Sequence, residues 1–361
     1  MKTKAIVQTG VRSLELREFE LPEVGSDDGL LRIEHSGLCG SDWSQYTGGS
    51  PANVIPGHEP LGIIEQIGDQ AAQRWGVQVG DRVAVETMLP CGYCRSCVSG
   101  KYNLCRASGG PIHAYGYLDI SLAPALWGGH AGYMYLDPHS LVHKVDHSVP
   151  AELAVMFNPL GAGVRWAQRL PGTGIGDSVV ILGCGQRGLA SVIAAREAGA
   201  GTVVITGLAA DEQKLALARE FGADRTVNVE REDVFAAVRE VTDGEMADIV
   251  VEVSSASTQP VSDALDLARR GGTIVLAGMK HGKVPEFDSN KIMSKELTIR
   301  GALAVDYDSY EAAIRIIERG SYPLELMHTH TMPLAEADRA LRILGNEVEG
   351  EHGIHLSLTP E

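Results

Sequence analysis

The sequence predicts an α/β protein in two parts: a mostly antiparallel β domain, then a doubly wound parallel sheet. Three observations carry this. Before Ala151, short β-like runs are separated by Gly-Asp and Pro-Gly turns. From Ala151 onward, apolar strand-like runs alternate with helical ones, as in a parallel sheet covered on both faces. A Gly-x-Gly-x-x-Gly turn stands at the first strand-to-helix junction of that alternation.

The β-like runs of the first part are "AIVQ", "LLRIEHSG", "GIIEQIG" and "DRVAVE". "AELAVMFNPLGAGVRWAQRL" then has helical spacing. Strands are expected at "DSVVILG", "TVVIT", "RTVNV", "ADIVVEVS" and "TIVLAG". Helices are expected at "QRGLASVIAAREAG", "DEQKLALAREFG", "REDVFAAVREVT" and "TQPVSDALDLARRGG". After "KELTIRGAL", two amphipathic helices follow, "YEAAIRIIERG" and "LAEADRALRILG". The expected organisation is a β domain over 1–155 with a cysteine lobe at 88–108, a dinucleotide-binding domain over 156–295, and a return to the first domain over 296–361.

A chain of 361 residues suits about two domains. With 44% hydrophobic and 22% charged residues it can bury an ordinary core. The balance of 31 basic against 47 acidic residues, net −16, repels phosphate backbones and anionic membranes, so neither nucleic acid nor membrane is an expected partner. No apolar run approaches the roughly 20 residues of a membrane span, and "MKTKAIVQTG" turns polar too early for a signal peptide. The expected location is the cytoplasm, where clustered thiols read as metal ligands rather than disulfides.

"VVILGCGQRGLA" carries Gly183, Gly185 and Gly188, with Gln186 and Arg187 opening the helix. Gly183 permits the tight turn, Gly185 lets backbone approach a pyrophosphate, and Gly188 lets helix and strand pack closely. The helix N-terminus then offers free N–H groups to phosphate. The other reading is a tight turn without a ligand. The acid that usually follows about 20 residues later is missing, because Thr206 and Gly207 occupy its place. Asp211 either reaches the ribose by a bend of the loop or caps the next helix. The expected cofactor is NAD, with NADP left open.

"CGYCRSCVSGKYNLC" places Cys91, Cys94, Cys97 and Cys105 in a C-x2-C-x2-C-x7-C pattern. Four thiolates on one short loop suit a closed tetrahedral zinc site. An iron–sulfur cluster is the rival, but its usual run has a shorter last gap followed by Pro, whereas Arg106 follows here. Cys39, in "HSGLCGSDW", and the adjacent His58 and Glu59, in "IPGHEPLG", form a second set. Alone, each residue reads as packing or surface. Together on Gly-flanked turns they offer three zinc ligands and leave a fourth position open.

In order, "GLCGSDW", "PGHEPLGIIEQIG", "VGDRVAVE", the cysteine run, "GGHAGYM" and "LGCGQRG" resemble the zinc-dependent medium-chain alcohol and polyol dehydrogenases over nearly the whole chain. The resemblance implies a GroES-like β domain, a Rossmann domain, substrate between them, and two zinc ions per chain. It implies that Cys39, His58 and Glu59 bind the catalytic zinc, that Ser41 takes the substrate proton, and that the four-cysteine lobe holds a structural zinc. The substrate would be an alcohol or its carbonyl partner, and the assembly a homodimer or homotetramer, with "GGTIVLAGM" as the candidate edge strand.

Two residues depart from the family pattern. Asn158, in "MFNPLGAGV", stands where relatives carry Glu or Cys. A neutral amide is a poor zinc ligand beside thiolate and imidazole, so Asn158 reads as a weak ligand or a neighbour of the site. Ser44 stands where many relatives have a relay His. His139, His143 and His147 read as surface residues. Trp43, Tyr46, Tyr115, Leu118 and Trp127 read equally as cleft lining or as core. The alternatives to a zinc alcohol dehydrogenase are a zinc-free quinone or enoyl reductase and a non-catalytic, zinc-stabilised NAD-binding protein.

Overall fold

The computed structural model describes residues 1–49, 53–105, 113–255 and 257–361. It divides into two units. The first contains Met1–Asn158, Ile314–Gly320 and Leu324–Glu361, and the second contains Pro159–Ala313 and Ser321–Pro323.

The first unit opens with an antiparallel ribbon, β1 (Lys2–Gly10) against β2 (Ser13–Glu20). Its main sheet is built on β3 (Gly29–Leu38), which pairs antiparallel with β4 (Glu59–Ile67). β5 (Arg82–Val85) pairs with β4, β6 (Tyr133–Leu136) with the start of β3, and β7 (Val142–Lys144) with β5. Leu31, Ile33, Ile64, Val83 and Met134 form a core beneath this sheet, and Tyr115, Trp127 and Leu118 pack into it. Trp43 and Tyr46 pack into a second core with Leu341 and Leu358. These five side chains therefore all pack against core clusters.

The second unit holds β8 (Ser178–Leu182), β9 (Thr202–Gly207), β10 (Arg225–Asn228), β11 (Ala247–Glu252), β12 (Ala268–Leu276) and β13 (Thr298–Gly301). All pair in parallel, in the order β10-β9-β8-β11-β12-β13. This is the doubly wound order, which reverses direction between β8 and β11. Helices Gln186–Glu197, Glu212–Glu220, Val234–Val241 and Gln259–Leu267 make the crossovers. Val179–Leu182 and Val203–Gly207 are buried throughout, as strands covered on both faces must be.

Three expectations change. "ARRGG" is strand rather than helix end, because Ala268 already pairs with Ala247. "GGTIVLAGM" does not supply an edge: β12 lies between β11 and β13, and β13 forms the edge beyond residue 295. "AELAVMFNPLGAGVRWAQRL" breaks into Ala151–Ala154, Phe157–Gly163 and a wider π-helical turn, Val164–Arg169.

After the helix Tyr307–Arg319 the chain rejoins the first sheet. β14 (His328–Pro333) and β15 (His355–Thr359) pair in parallel, and β15 lies antiparallel beside β3. The amphipathic helix Ala337–Leu344 connects them, burying Ala340, Leu341 and Ile343. Among the described residues no helix is long and apolar enough to cross a membrane.

Candidate functional site

His58 and Glu59 are adjacent because a turn ends where a strand begins. Gly57 has φ +91°, and a Cβ there would lie 2.4 Å from His130 Cδ2 and 2.8 Å from Ser36 Oγ, so only glycine fits. His58 follows this turn, and Glu59 opens β4. Glu59 faces Gly37 across the sheet. A Cβ at Gly37 would lie 2.7 Å from Glu59 Oε2, so the missing side chain gives the carboxylate its room. Cys39 ends the turn after β3 and caps the short helix Gly40–Ser44.

These elements bring Cys39 Sγ, a His58 ring nitrogen and a Glu59 carboxylate oxygen within 4.8 Å of one another, all buried. Asp42, two per cent exposed, orients the ring. Its Oδ1 lies 3.1 Å from His58 Nδ1, and its Oδ2 accepts the Cys39 backbone N–H at 2.8 Å. A carboxylate on Nδ1 leaves Nε2 as the ligand atom, the usual arrangement behind a metal-bound histidine. Burial opposes charge on both groups, but their pairing outweighs it. Asp42 pushes His58 well above its usual range, and His58 draws Asp42 below the usual carboxylate range. Thiolate, imidazole and carboxylate together suit zinc.

Ser41 Oγ lies 3.2 Å from His58 Nε2. The Tyr117 ring centroid is 5.7 Å from that of His58. Ser44 donates instead to the Gly40 carbonyl at 3.1 Å. Asn158 is buried in the first turn of Phe157–Gly163. Asp42 and Tyr117 are the residues that sequence reasoning missed. The "GSD" beside Cys39 signals the first; nothing local signals the second, which a long connection delivers.

The cysteine lobe is a separate cluster. Sγ–Sγ distances are 3.5 Å for Cys94–Cys97, 3.8 Å for Cys94–Cys105 and 3.9 Å for Cys91–Cys97. A tetrahedron with Zn–S bonds of about 2.3 Å has edges of about 3.8 Å, so the four sulfurs fit a closed zinc site. The Cys97 backbone N–H, with the other thiols, draws the Cys94 thiol down to about 6. Residues 106–108 of the expected lobe, Arg106 included, lie outside the described residues. Tyr102, inside the lobe, donates to Glu86 Oε2 at 2.7 Å, and His143 Nε2 lies 3.0 Å from Glu86 Oε1. His143 is therefore buried and bonded, not a surface residue. His139 and His147 are exposed.

In the second unit, Gly183 has φ +110° and ends β8. A Cβ at Gly188 would lie 1.9 Å from the Gly183 carbonyl oxygen, so helix and turn approach as only glycine allows. At Gly185, which precedes Gln186 and Arg187 at the helix start, a Cβ would meet nothing within 4 Å. That helix has no side-chain cap at its N-terminus. An open glycine before uncapped N–H groups fits a pyrophosphate. Thr206 Oγ1 accepts the Gly183 N–H at 3.2 Å, joining the end of β9 to the turn. Asp211 both caps its turn, accepting the Leu208 N–H at 3.1 Å, and pairs with Lys214 at 2.8 Å.

Comparison with known proteins follows this division of the chain. Residues 25–147 match the alcohol dehydrogenase GroES-like domain, and residues 188–319 match the zinc-binding dehydrogenase family. A probable alcohol dehydrogenase of Mycobacterium tuberculosis is 42% identical over 99% of this chain and 98% of its own. An erythritol/L-threitol dehydrogenase of Mycolicibacterium smegmatis is 34% identical over 99% and 98%. A structure from Sinorhizobium meliloti, assigned as a zinc-binding dehydrogenase and solved with NADP, superposes with TM-score 0.85 at 27% identity over the full length of both chains.

Proposed function

The chain belongs to the zinc-binding dehydrogenases that carry an alcohol dehydrogenase GroES-like domain, and from that premise we propose how its residues divide the work. The protein is a zinc-dependent oxidoreductase that interconverts an alcohol and its carbonyl with NAD(P). The observation that carries the site reading is the convergence of Cys39, His58 and Glu59, three buried donors of three kinds, within 4.8 Å.

When bound, zinc supplies Lewis acidity to the alcohol oxygen and the nicotinamide accepts the hydride. Cys39, His58 Nε2 and Glu59 would hold the metal, and Asp42 fixes the His58 tautomer through Nδ1. Ser41 Oγ would accept the hydroxyl proton while passing its own to solvent, and Tyr117 lies against the His58 ring. Ser44 Oγ donates to the Gly40 carbonyl of its own helix. Asn158, a buried neutral amide, would add no charge to the ligand set. Cys91, Cys94, Cys97 and Cys105 would hold a second, structural zinc. Gly183, Gly185, Gln186, Arg187 and Gly188 would cradle the pyrophosphate.

Two relatives act, by name, on an alcohol and on four-carbon polyols. A neutral secondary alcohol or small polyol is the proposed substrate class. The exposed edge strand β13 supports a homodimer formed by strand pairing, with a tetramer as its doubling. The deciding experiment is NAD+ and NADP+ reduction across a panel of alcohols and polyols, with zinc quantified on the same sample. Two zinc ions per chain and turnover on one class support the reading. One zinc with no turnover indicates the non-catalytic protein, and turnover without zinc indicates the reductase.

A further inference from the structure

We infer that Asp211, carried by the loop after β9, selects NAD(H) over NADP(H) by replacing the side chain that β9 itself lacks. This rests on the dinucleotide reading of the Gly-rich turn. Strand β9 ends at Gly207, where an acid would ordinarily bind the adenosine ribose. The structure explains its absence. A Cβ at Gly207 would lie 2.5 Å from Cys184 Sγ, 3.1 Å from Leu215 Cδ2 and 3.2 Å from Asp211 Cβ. The space beside the strand end is already filled, and one of the side chains filling it, through its Cβ, is that of an acid, Asp211.

The loop makes this possible by folding back. Ala209–Asp211 form a single 3-10 turn, and the Asp211 carboxylate closes it by accepting the Leu208 N–H at 3.1 Å. Cys184, the residue between Gly183 and Gly185, flanks the same strand end: a Cβ at Gly207 would meet both its Sγ and Asp211 Cβ. The acid thus lies beside the end of β9, close to where a strand-end acid would stand. Lys214 Nζ, 2.8 Å from Asp211 Oδ1, holds it in place, and both side chains keep an open edge, 20% and 17% exposed.

The chemistry of this corner favours hydroxyls over a phosphate. An ionised carboxylate has about four lone-pair positions and accepts only. The Leu208 N–H and Lys214 use two, which leaves two for the ribose hydroxyls. A 2′-phosphate donates nothing and adds negative charge beside Asp211. Glu230 adds more, accepting the Ala209 N–H at 2.6 Å on the same loop. Neighbouring cations are engaged elsewhere: Arg219 donates to Thr226 at 2.5 Å and Arg225 to Glu232 at 2.5 Å. Lys214 is committed to Asp211.

The test is direct binding of NADH and NADPH to the purified protein, read by nicotinamide fluorescence and calorimetry, independent of turnover. Wild type should bind NADH at least tenfold tighter than NADPH. Asp211→Asn keeps an acceptor for the Leu208 N–H, so the turn persists. It should weaken NADH several-fold and narrow the NADH/NADPH ratio at least tenfold, with an unchanged melting temperature. Asp211→Glu should restore part of the ratio. Wild type binding NADPH as tightly as NADH, or an unchanged ratio in Asp211→Asn, would overturn the inference while leaving the dinucleotide reading intact. If neither dinucleotide binds to protein of full zinc content, that reading falls too.

Discussion

Two clusters of metal-ligating side chains occupy one β domain and are built in opposite ways. The four cysteines come from the single stretch Cys91–Cys105 and stay partly exposed. Cys39, His58 and Glu59 come from two strands, where the end of β3 meets the start of β4, and are buried. The local cluster has four donors and closes on itself. The distant one has three, exists only if the sheet register is correct, and needs Gly37 and Gly57 to make room. A site that must stabilise can be made cheaply from neighbours; a site that must react is held by the whole domain.

The largest effect that sharpens this contrast is loss of the buried set. Cys39→Ala or His58→Ala should lower turnover by about a thousandfold or more and reduce zinc from two to one per chain, checked by steady-state kinetics and metal analysis. Full turnover by either variant would erase the distinction. The lobe should behave the other way. Cys97→Ser should also cost one zinc and lower the melting temperature by several degrees, because metal binding there is folding energy. Turnover per folded molecule should stay within a few-fold.

Asp42→Asn comes next. It keeps the shape but weakens the hold on His58 Nδ1, and zinc affinity at the buried set should fall about 10- to 100-fold. Competition with a chromophoric chelator measures it, and the lobe zinc serves as internal control.

Acid should also separate the regions. Burial lowers His130 and His328 to about 4, and lowers His355 well below the usual range. The unfolded chain protonates these groups at about 6.5 while the folded one resists. The unfolded state then binds more protons, so stability is full above about pH 6.5 and is lost as pH falls toward 4, on the order of 3 kcal/mol for one such group. Thermal melts between pH 7.5 and 4.5 test this, and His328→Asn should flatten the profile. The smallest expected effect is Ser44→Ala, with turnover changed less than about twofold, since Ser44 bonds its own helix.

Much of this was legible from residues alone. Continuous runs such as "VVIL" and "DIVV" can only be covered strands, and the cysteine spacing announces a tetrathiolate without three-dimensional help. The illegible parts depended on distant partners. β14 and β15 read "HTHTMP" and "HLSLT", too polar to announce strands until β3 lies beside them. His143 looked like a surface residue because Glu86 and Tyr102, which bury and bond it, are far away in sequence. The geometry of Asp211 was hidden because the turn Ala209–Asp211, which folds it back beside Gly207, carries no local motif.

The placement of β15 between β14 and β3 has a consequence for biosynthesis. During translation, the side of β3 that will receive β15 waits unpaired while the whole parallel-sheet unit emerges from the ribosome. That exposed strand edge invites pairing with another nascent chain. Truncation before His355 should therefore yield a protein that aggregates in cells unless a chaperone shields it, even though every proposed zinc ligand is already present.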